Sequence, residues 1–197
     1  MSTPHEHEHD PVDPRALRAE ALEATLIEGG LVDPAAMEAV LDRFDHELGP
    51  MLGARVVARS WVDPAFKARL LTDGLAAIGE LGLGGPQVDH LIVVENTPDV
   101  HNVVVCTLCS CYPWGLLGLP PEWYKSFAYR SRVVREPRLV LEEMGCVVAP
   151  DVDLRVWDSS AEVRYLVLPE APADASTRTE AELAERVTRD QMIGVAR

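Results

Sequence analysis

Three of the four cysteines lie within six consecutive residues, at Cys106, Cys109 and Cys111 of Val105-Cys106-Thr107-Leu108-Cys109-Ser110-Cys111. Ordinary core packing has no use for thiols at this density, and the run reads as a metal site. A metal bound to the sulfur and the backbone nitrogen of Cys111 closes a five-membered ring. The nitrogen of Ser110 shares a second five-membered ring with Cys111 and a six-membered one with the sulfur of Cys109, so no bond need be strained. Cys106 can return on a short loop as an axial thiolate. A sixth position then stays open, as a catalytic metal requires and a structural one does not. Two deprotonated amides and three sulfurs suit a small trivalent ion such as low-spin cobalt or iron better than zinc.

Spacing alone leaves other chemistry open. Cys109 and Cys111 are too close in sequence for a normal disulfide, but C-x-x-C also serves redox pairs and half zinc sites. Zinc would need a fourth ligand, for which His101, His90 or Cys146 could serve. Cys146 otherwise reads as a core thiol.

The elements that must hold this run follow from punctuation and periodicity. Asp13-Pro14, Asp33-Pro34 and Asp63-Pro64 each pair an N-cap acceptor with a proline at the first helical position, where its missing N–H costs nothing. From Asp33, Met37, Val40, Leu41, Phe44 and Leu48 recur at helical spacing until Gly49-Pro50 stops them. A weaker first helix carries Leu17, Ala21, Ala24 and Leu26, and a third group runs from Phe66 to Leu81. After Gly84-Gly85-Pro86 the pattern changes: Leu91 to Val94 and Val103 to Val105 are short, β-branched and bounded by turns, as buried strands are. The second strand runs directly into the cysteines, so a sheet edge is expected to deliver the loop. Pro120-Pro121-Glu122 opens a short helix carrying Trp123, Tyr124, Phe127 and Tyr129. Val152 to Trp157 and Val163 to Leu168 read as a strand pair turning at Ser159-Ser160. Past Pro169 the composition suggests a linker, then a last amphipathic helix over Glu180 to Arg189.

Helices followed by strands make the fold class α+β. The chain of 197 residues is long enough to bury one core. Its divisions are a His/Glu-rich tail over 1–12, a helical arm over 13–83 and a metal-binding domain over 84–197, the last two forming one structural unit. The tail, with His5, His7 and His9 among acids, has too few apolar residues to fold. A formal charge of -14 argues against nucleic acid and anionic membrane as partners. With no long apolar run and no signal peptide, the expected location is cytoplasmic.

Val105 to Cys111 is followed by Pro113-Trp114, Leu117-Gly118-Leu119-Pro120-Pro121, Trp123-Tyr124-Lys125 and Arg132-Val133-Val134-Arg135-Glu136-Pro137-Arg138. In that order the run resembles the α subunit of nitrile hydratase. Upstream, Trp61 to Leu71, Asp73-Gly74, Gly85-Pro86-Gln87 and Thr97-Pro98 resemble the same family. The resemblance implies the family's layered α/β metal-binding domain and hydration of a nitrile to the amide. Cys106, Cys109 and Cys111 would be sulfur ligands, with Ser110 and Cys111 giving amide nitrogens. Thr107 favours cobalt(III) over iron(III). Cys109 would become a sulfinate and Cys111 a sulfenate, drawing electron density off sulfur and keeping the ion Lewis acidic. Arginines of a β-type partner would meet these charged sulfurs, and Lys125, Arg130, Arg132, Arg135 and Arg138 with the nearby aromatics would be partner surface. The amino-terminal helices would reach over that partner too.

The same resemblance places Cys111 in catalysis as base or nucleophile, with Ser110 and Gln87 orienting water. Attack by metal-activated water or by the sulfenate oxygen both remain open. Two positions depart from the family pattern: Tyr112, which would lie close to the metal and could reshape the pocket, and Gly115, where proline is common. Relatives with a split β part, thiocyanate hydrolase and toyocamycin nitrile hydratase, keep the substrate open, with thiocyanate hydrolysis as the second reading. A non-catalytic zinc or cobalt module is the third.

Overall fold

The computed structural model describes residues 14–85 and 88–197. It divides into two compact units, Met1–Arg43 and Phe44–Arg197. Asp13, the histidine-rich tail and Gln87 lie outside the described residues.

The first unit holds helix α1 (Pro14–Glu28) and most of α2 (Pro34–His46). The carboxylate of Asp33 accepts the amide of Ala35 at 2.9 Å, as an N-cap should. Leu17, Leu22, Val40 and Leu41 stay half or more exposed, and α1 buries no residue.

The second unit opens with α3 (Pro50–Val62), α4 (Pro64–Thr72) and α5 (Gly74–Glu80). Gly49-Pro50 does more than the expected stop. Gly49 is the N-cap of α3 and Pro50 its first residue, a helix that periodicity had not marked. Its Val56, Val57 and Ala58 are wholly buried. Asp63 caps α4 by accepting the amides of Ala65 and Phe66, both at 3.0 Å. That cap satisfies two of the donors a helix start leaves open. Asp73 repeats the device for α5, accepting from Ala76 at 2.9 Å.

Strands β1 (Leu91–Glu95) and β2 (Val100–Val105) stand where β-branching put them. Then come α6 (Trp114–Leu117), α7 (Glu122–Lys125), α8 (Phe127–Arg132) and α9 (Pro137–Glu143), followed by β3 (Asp153–Asp158) and β4 (Arg164–Leu168). The expected pairing of the last two strands is not found. β4 runs parallel to β1, with Leu91 opposite Arg164, and β3 runs parallel to β2, with Val105 opposite Asp158. The reason is burial: Val103, Val104, Val105, Leu166 and Val167 are each nearly or wholly buried, and parallel ladders with covered faces suit such runs. Ser159-Ser160 therefore carries the chain from one ladder to the other instead of closing a hairpin.

Of the helices of the expected arm, α3 to α5 belong to this second unit, with Phe66, Leu70 and Ile78 in one core with the strands. The region beyond Pro169 is structured, with a short 3-10 turn (Ala175–Thr177), α10 (Glu180–Ala184) and α11 (Arg189–Ile193). The single last helix expected there is two, each opened by a capping box, at Thr179 with Glu182 and at Thr188 with Gln191. Gly194 ends α11 at φ +90°, and a Cβ on it would stand 1.9 Å from the carbonyl oxygen of Asn102. That approach lets its own carbonyl take the Nε2 proton of the wholly buried His101 at 2.8 Å. Asn96, Asn102 and Trp157 close the polar network around it. Among the described residues no helix is long and apolar enough to cross a membrane.

Candidate metal centre

The cysteine loop begins where the β2–β3 ladder ends. Cys106 follows the last residue of β2 and is wholly buried, while Cys109 is exposed and Cys111 half-buried. The parallel register sets Asp158 beside the start of the loop. Its carboxylate accepts the amide of Thr107 at 2.9 Å and its hydroxyl at 2.6 Å. Arg130 donates to the carbonyl of Thr107 at 3.4 Å. At the far end the Tyr124 hydroxyl donates to the carbonyl of Cys111 at 2.9 Å.

Between these anchors the sulfurs of Cys106 and Cys109 are 3.5 Å apart and those of Cys109 and Cys111 3.2 Å. All three lie within 4.8 Å of one another. With metal–sulfur bonds of about 2.3 Å, ligands at right angles stand roughly 3.3 Å apart and tetrahedral ones roughly 3.8 Å. The Cys109–Cys111 spacing fits the right-angle value. The Cys109 amide donates to the Cys106 sulfur at 3.3 Å, which ties the middle of the loop to its buried first thiol. Three converging sulfurs, with the backbone nitrogens of Ser110 and Cys111 next to two of them in the chain, are a donor set that fits a low-spin trivalent ion.

The thiols share charge unequally. The Cys111 thiol first, then the Cys106 thiol and the nearby backbone of Ser110 and Cys111, hold the Cys109 thiol below its ordinary range against desolvation. Burial first, then the Cys109 and Cys106 thiols, push Cys111 up to about 12, with the charge of Arg164 opposing. Of the Cys109 and Cys111 thiols, Cys109 is the readier to give up its proton.

A cleft of about 330 Å³ opens over the loop, lined by Cys109, Ser110, Cys111, Trp114, Ala161 and Arg164. Ser110 thus lines the same cleft as Cys109 and Cys111. Tyr112 does not: it is 1 % exposed, its ring packs on Tyr124 at 5.2 Å, and it faces the core instead of the cleft. Nor do the proposed zinc ligands converge. Among the described residues no His, Asp, Glu or further Cys joins the three sulfurs. His101 is engaged with Gly194, and Cys146 is buried 4.0 Å from the His101 ring.

Reading the sequence missed Arg164, Asp158 and Tyr124. Arg164 starts β4, donates to the carbonyls of Ser160 and Val163, and places a buried positive charge beside Cys111 within this chain. The arginines expected as partner surface bond internally: Arg132 to Glu136 and Glu143, Arg135 to Ser131, and Arg138 to Val148, Ala149 and Val152.

Residues 13–196 match the family model described as nitrile hydratase, alpha chain. The chain is 56% identical over 181 residues to the low-molecular weight cobalt-containing nitrile hydratase subunit alpha of Rhodococcus rhodochrous, covering 92% of this chain and 87% of that one. It is 43% identical over 187 residues to the thiocyanate hydrolase subunit gamma of Thiobacillus thioparus, covering 89% and 76%. A solved variant of the Fe-type nitrile hydratase of Comamonas testosteroni Ni1 superposes with a TM-score of 0.87 at 42% identity, covering 95% of this chain and 92% of that one.

Proposed function

Because this chain belongs to the nitrile hydratase alpha-chain family, its activity is that of a cobalt nitrile hydratase subunit, and we propose that Cys106, Cys109, Ser110 and Cys111 hold the metal. The observation that carries the assignment is the convergence of the three sulfurs within 4.8 Å of one another. When bound, trivalent cobalt supplies Lewis acidity for hydrating a nitrile to the amide. Cobalt is supported over iron by the named cobalt relatives.

The chain's own residues shape and charge the pocket. Trp114 and Ala161 give the cleft an apolar wall against which a nitrile substituent can pack. The Ser110 hydroxyl orients water, and Gln87 is its proposed companion. The Cys111 sulfur, as sulfenate, acts as base or nucleophile, and the Cys109 sulfur is the proposed sulfinate, since it is the exposed one of the three. Arg164 supports negative charge on these sulfurs from within the chain. A β-type partner covers the open side of the cleft and completes the donors, and the exposed apolar faces of α1 and α2 suit the same partner. The place of action is the cytoplasm.

Purified with its partner and loaded with cobalt, the chain converts a nitrile to the amide and shows a sulfur-to-cobalt charge-transfer band. Release of ammonia and carbonyl sulfide from thiocyanate, without nitrile turnover, would instead select the hydrolase reading. Zinc with three unmodified thiols would select the non-catalytic module.

A further inference from the structure

One cluster of rings holds both ends of the cysteine loop. Tyr124, on α7, is wholly buried, with ring centroids 5.2 Å from Tyr112, 5.9 Å from Trp123 and 5.8 Å from Tyr129. Packing on three sides leaves its hydroxyl one direction, and it donates to the carbonyl of Cys111 at 2.9 Å. Tyr129, on α8, donates to the carbonyl of Val104 at 2.7 Å, two residues before Cys106. Ser126 joins the two short helices, taking the amide of Tyr129 at 3.1 Å as N-cap. The rise from one tyrosine to the other therefore sets the span between entry and exit of the loop.

We propose that Tyr124 is a positioning residue for the metal centre, its hydroxyl fixing the peptide frame from which both the nitrogen and the sulfur of Cys111 project. This rests on the ligand assignment above. Cys111 is the one residue there that would bind through two atoms, and a chelate ring tolerates little rotation about its Cα–Cβ bond. Fixing the carbonyl oxygen fixes the orientation of that bond. Tyr129 does the same for the strand end that delivers Cys106. The donor is a wholly buried ring hydroxyl, so losing it takes from the Cys111 carbonyl the bond made at 2.9 Å. Tyr124 touches no reacting atom in this arrangement, so its effect reaches the chemistry only through Cys111.

The test is Tyr124→Phe in the full chain with its partner subunit, beside the parent. Expected are release of cobalt to a chelator roughly fivefold to tenfold faster, the worth of one hydrogen bond, and a displaced sulfur-to-cobalt band. The ¹³C resonance of the Cys111 carbonyl should also move in the metal-free chain. A folded variant with all three readouts unchanged overturns the proposal. Should the variant fail to fold, 3-fluorotyrosine at position 124 decides. Its stronger donor must move the carbonyl resonance opposite to the loss of a donor, and an unmoved resonance overturns the proposal. A parent that binds no cobalt would sink the ligand assignment, while the carbonyl resonance still reads the contact between Tyr124 and Cys111.

Discussion

Asp158 holds Thr107 by two bonds from one carboxylate, 2.9 Å to its amide and 2.6 Å to its hydroxyl, although the two residues are 51 positions apart. Thr107 precedes the exposed part of the cysteine loop, so this grip fixes the direction in which the loop leaves the sheet. Asp158→Ala removes both bonds. Charged acceptors are worth about 1.5–3 kcal/mol when shielded, and the exposure of this pair lowers that to about 1 kcal/mol. Urea unfolding of the metal-free chain should show that loss, and the cobalt-loaded enzyme should release metal to a chelator faster than the parent.

Cys109 is the sulfur shared by both short contacts of the cluster, 3.5 Å to Cys106 and 3.2 Å to Cys111. Cys109→Ala leaves the two remaining sulfurs without their common neighbour. Cobalt content by elemental analysis is expected to fall to background while circular dichroism stays that of the parent. Full occupancy in this variant would refute the ligand set.

His101 gives the fold an acid sensitivity. Desolvation by burial, outweighing the opposing bond to Gly194, lowers its pKa below the ordinary 6.5. The neutral ring is therefore retained in the folded chain at pH values where the unfolded chain takes up a proton. Above about 6.5 neither state is charged and the contribution to stability is complete. Below that value the unfolded state binds more protons, and stability falls until the lowered folded pKa is reached. Urea midpoints measured from pH 8 to pH 5 should drop beneath pH 6.5, with a shallower slope in His101→Gln.

Gly194→Ala meets two obstacles at once: φ +90° disfavours any Cβ, and the added carbon would stand 1.9 Å from the carbonyl oxygen of Asn102. A loss of about 2–4 kcal/mol is expected, as for other buried backbone clashes. Thermal unfolding that leaves the midpoint unchanged would contradict this packing.

Tyr112→Phe should be nearly silent. Its hydroxyl makes only a long contact, 3.5 Å to the carbonyl of Leu117, and its ring faces the core. A change under about 0.5 kcal/mol in stability is expected, with cobalt content and nitrile preference as in the parent. Altered substrate preference would return Tyr112 to the pocket wall.

The cysteine loop was legible from sequence because its chemistry is local: Cys106, Cys109, Ser110 and Cys111 lie within one short turn. Asp33-Pro34 and Asp63-Pro64 were legible for the same reason, since a cap is read from adjacent residues. What surrounds the loop was not. Asp158 and Arg164 reach it only through parallel register, which follows from which faces are buried and not from any neighbour in the chain. The turn residues Ser159-Ser160 suggested a hairpin, but a short turn joins two strands of one ladder or of two equally well. Gly49-Pro50 hid a helix because the signal that ends one helix is the signal that begins another. Tyr112 was misplaced for want of a direction: proximity along the chain to Cys111 does not say which way a ring points.

Pairing of β2 with a strand as distant as β3 also imposes an order on synthesis. A nascent chain that has released its thiols but not yet residues 153–158 holds them on an unmatched strand, with Thr107 untethered. The loop is tethered only once residues 153–158 have been made, so a metal ion entering it would meet a polypeptide that already carries the whole β2–β3 ladder.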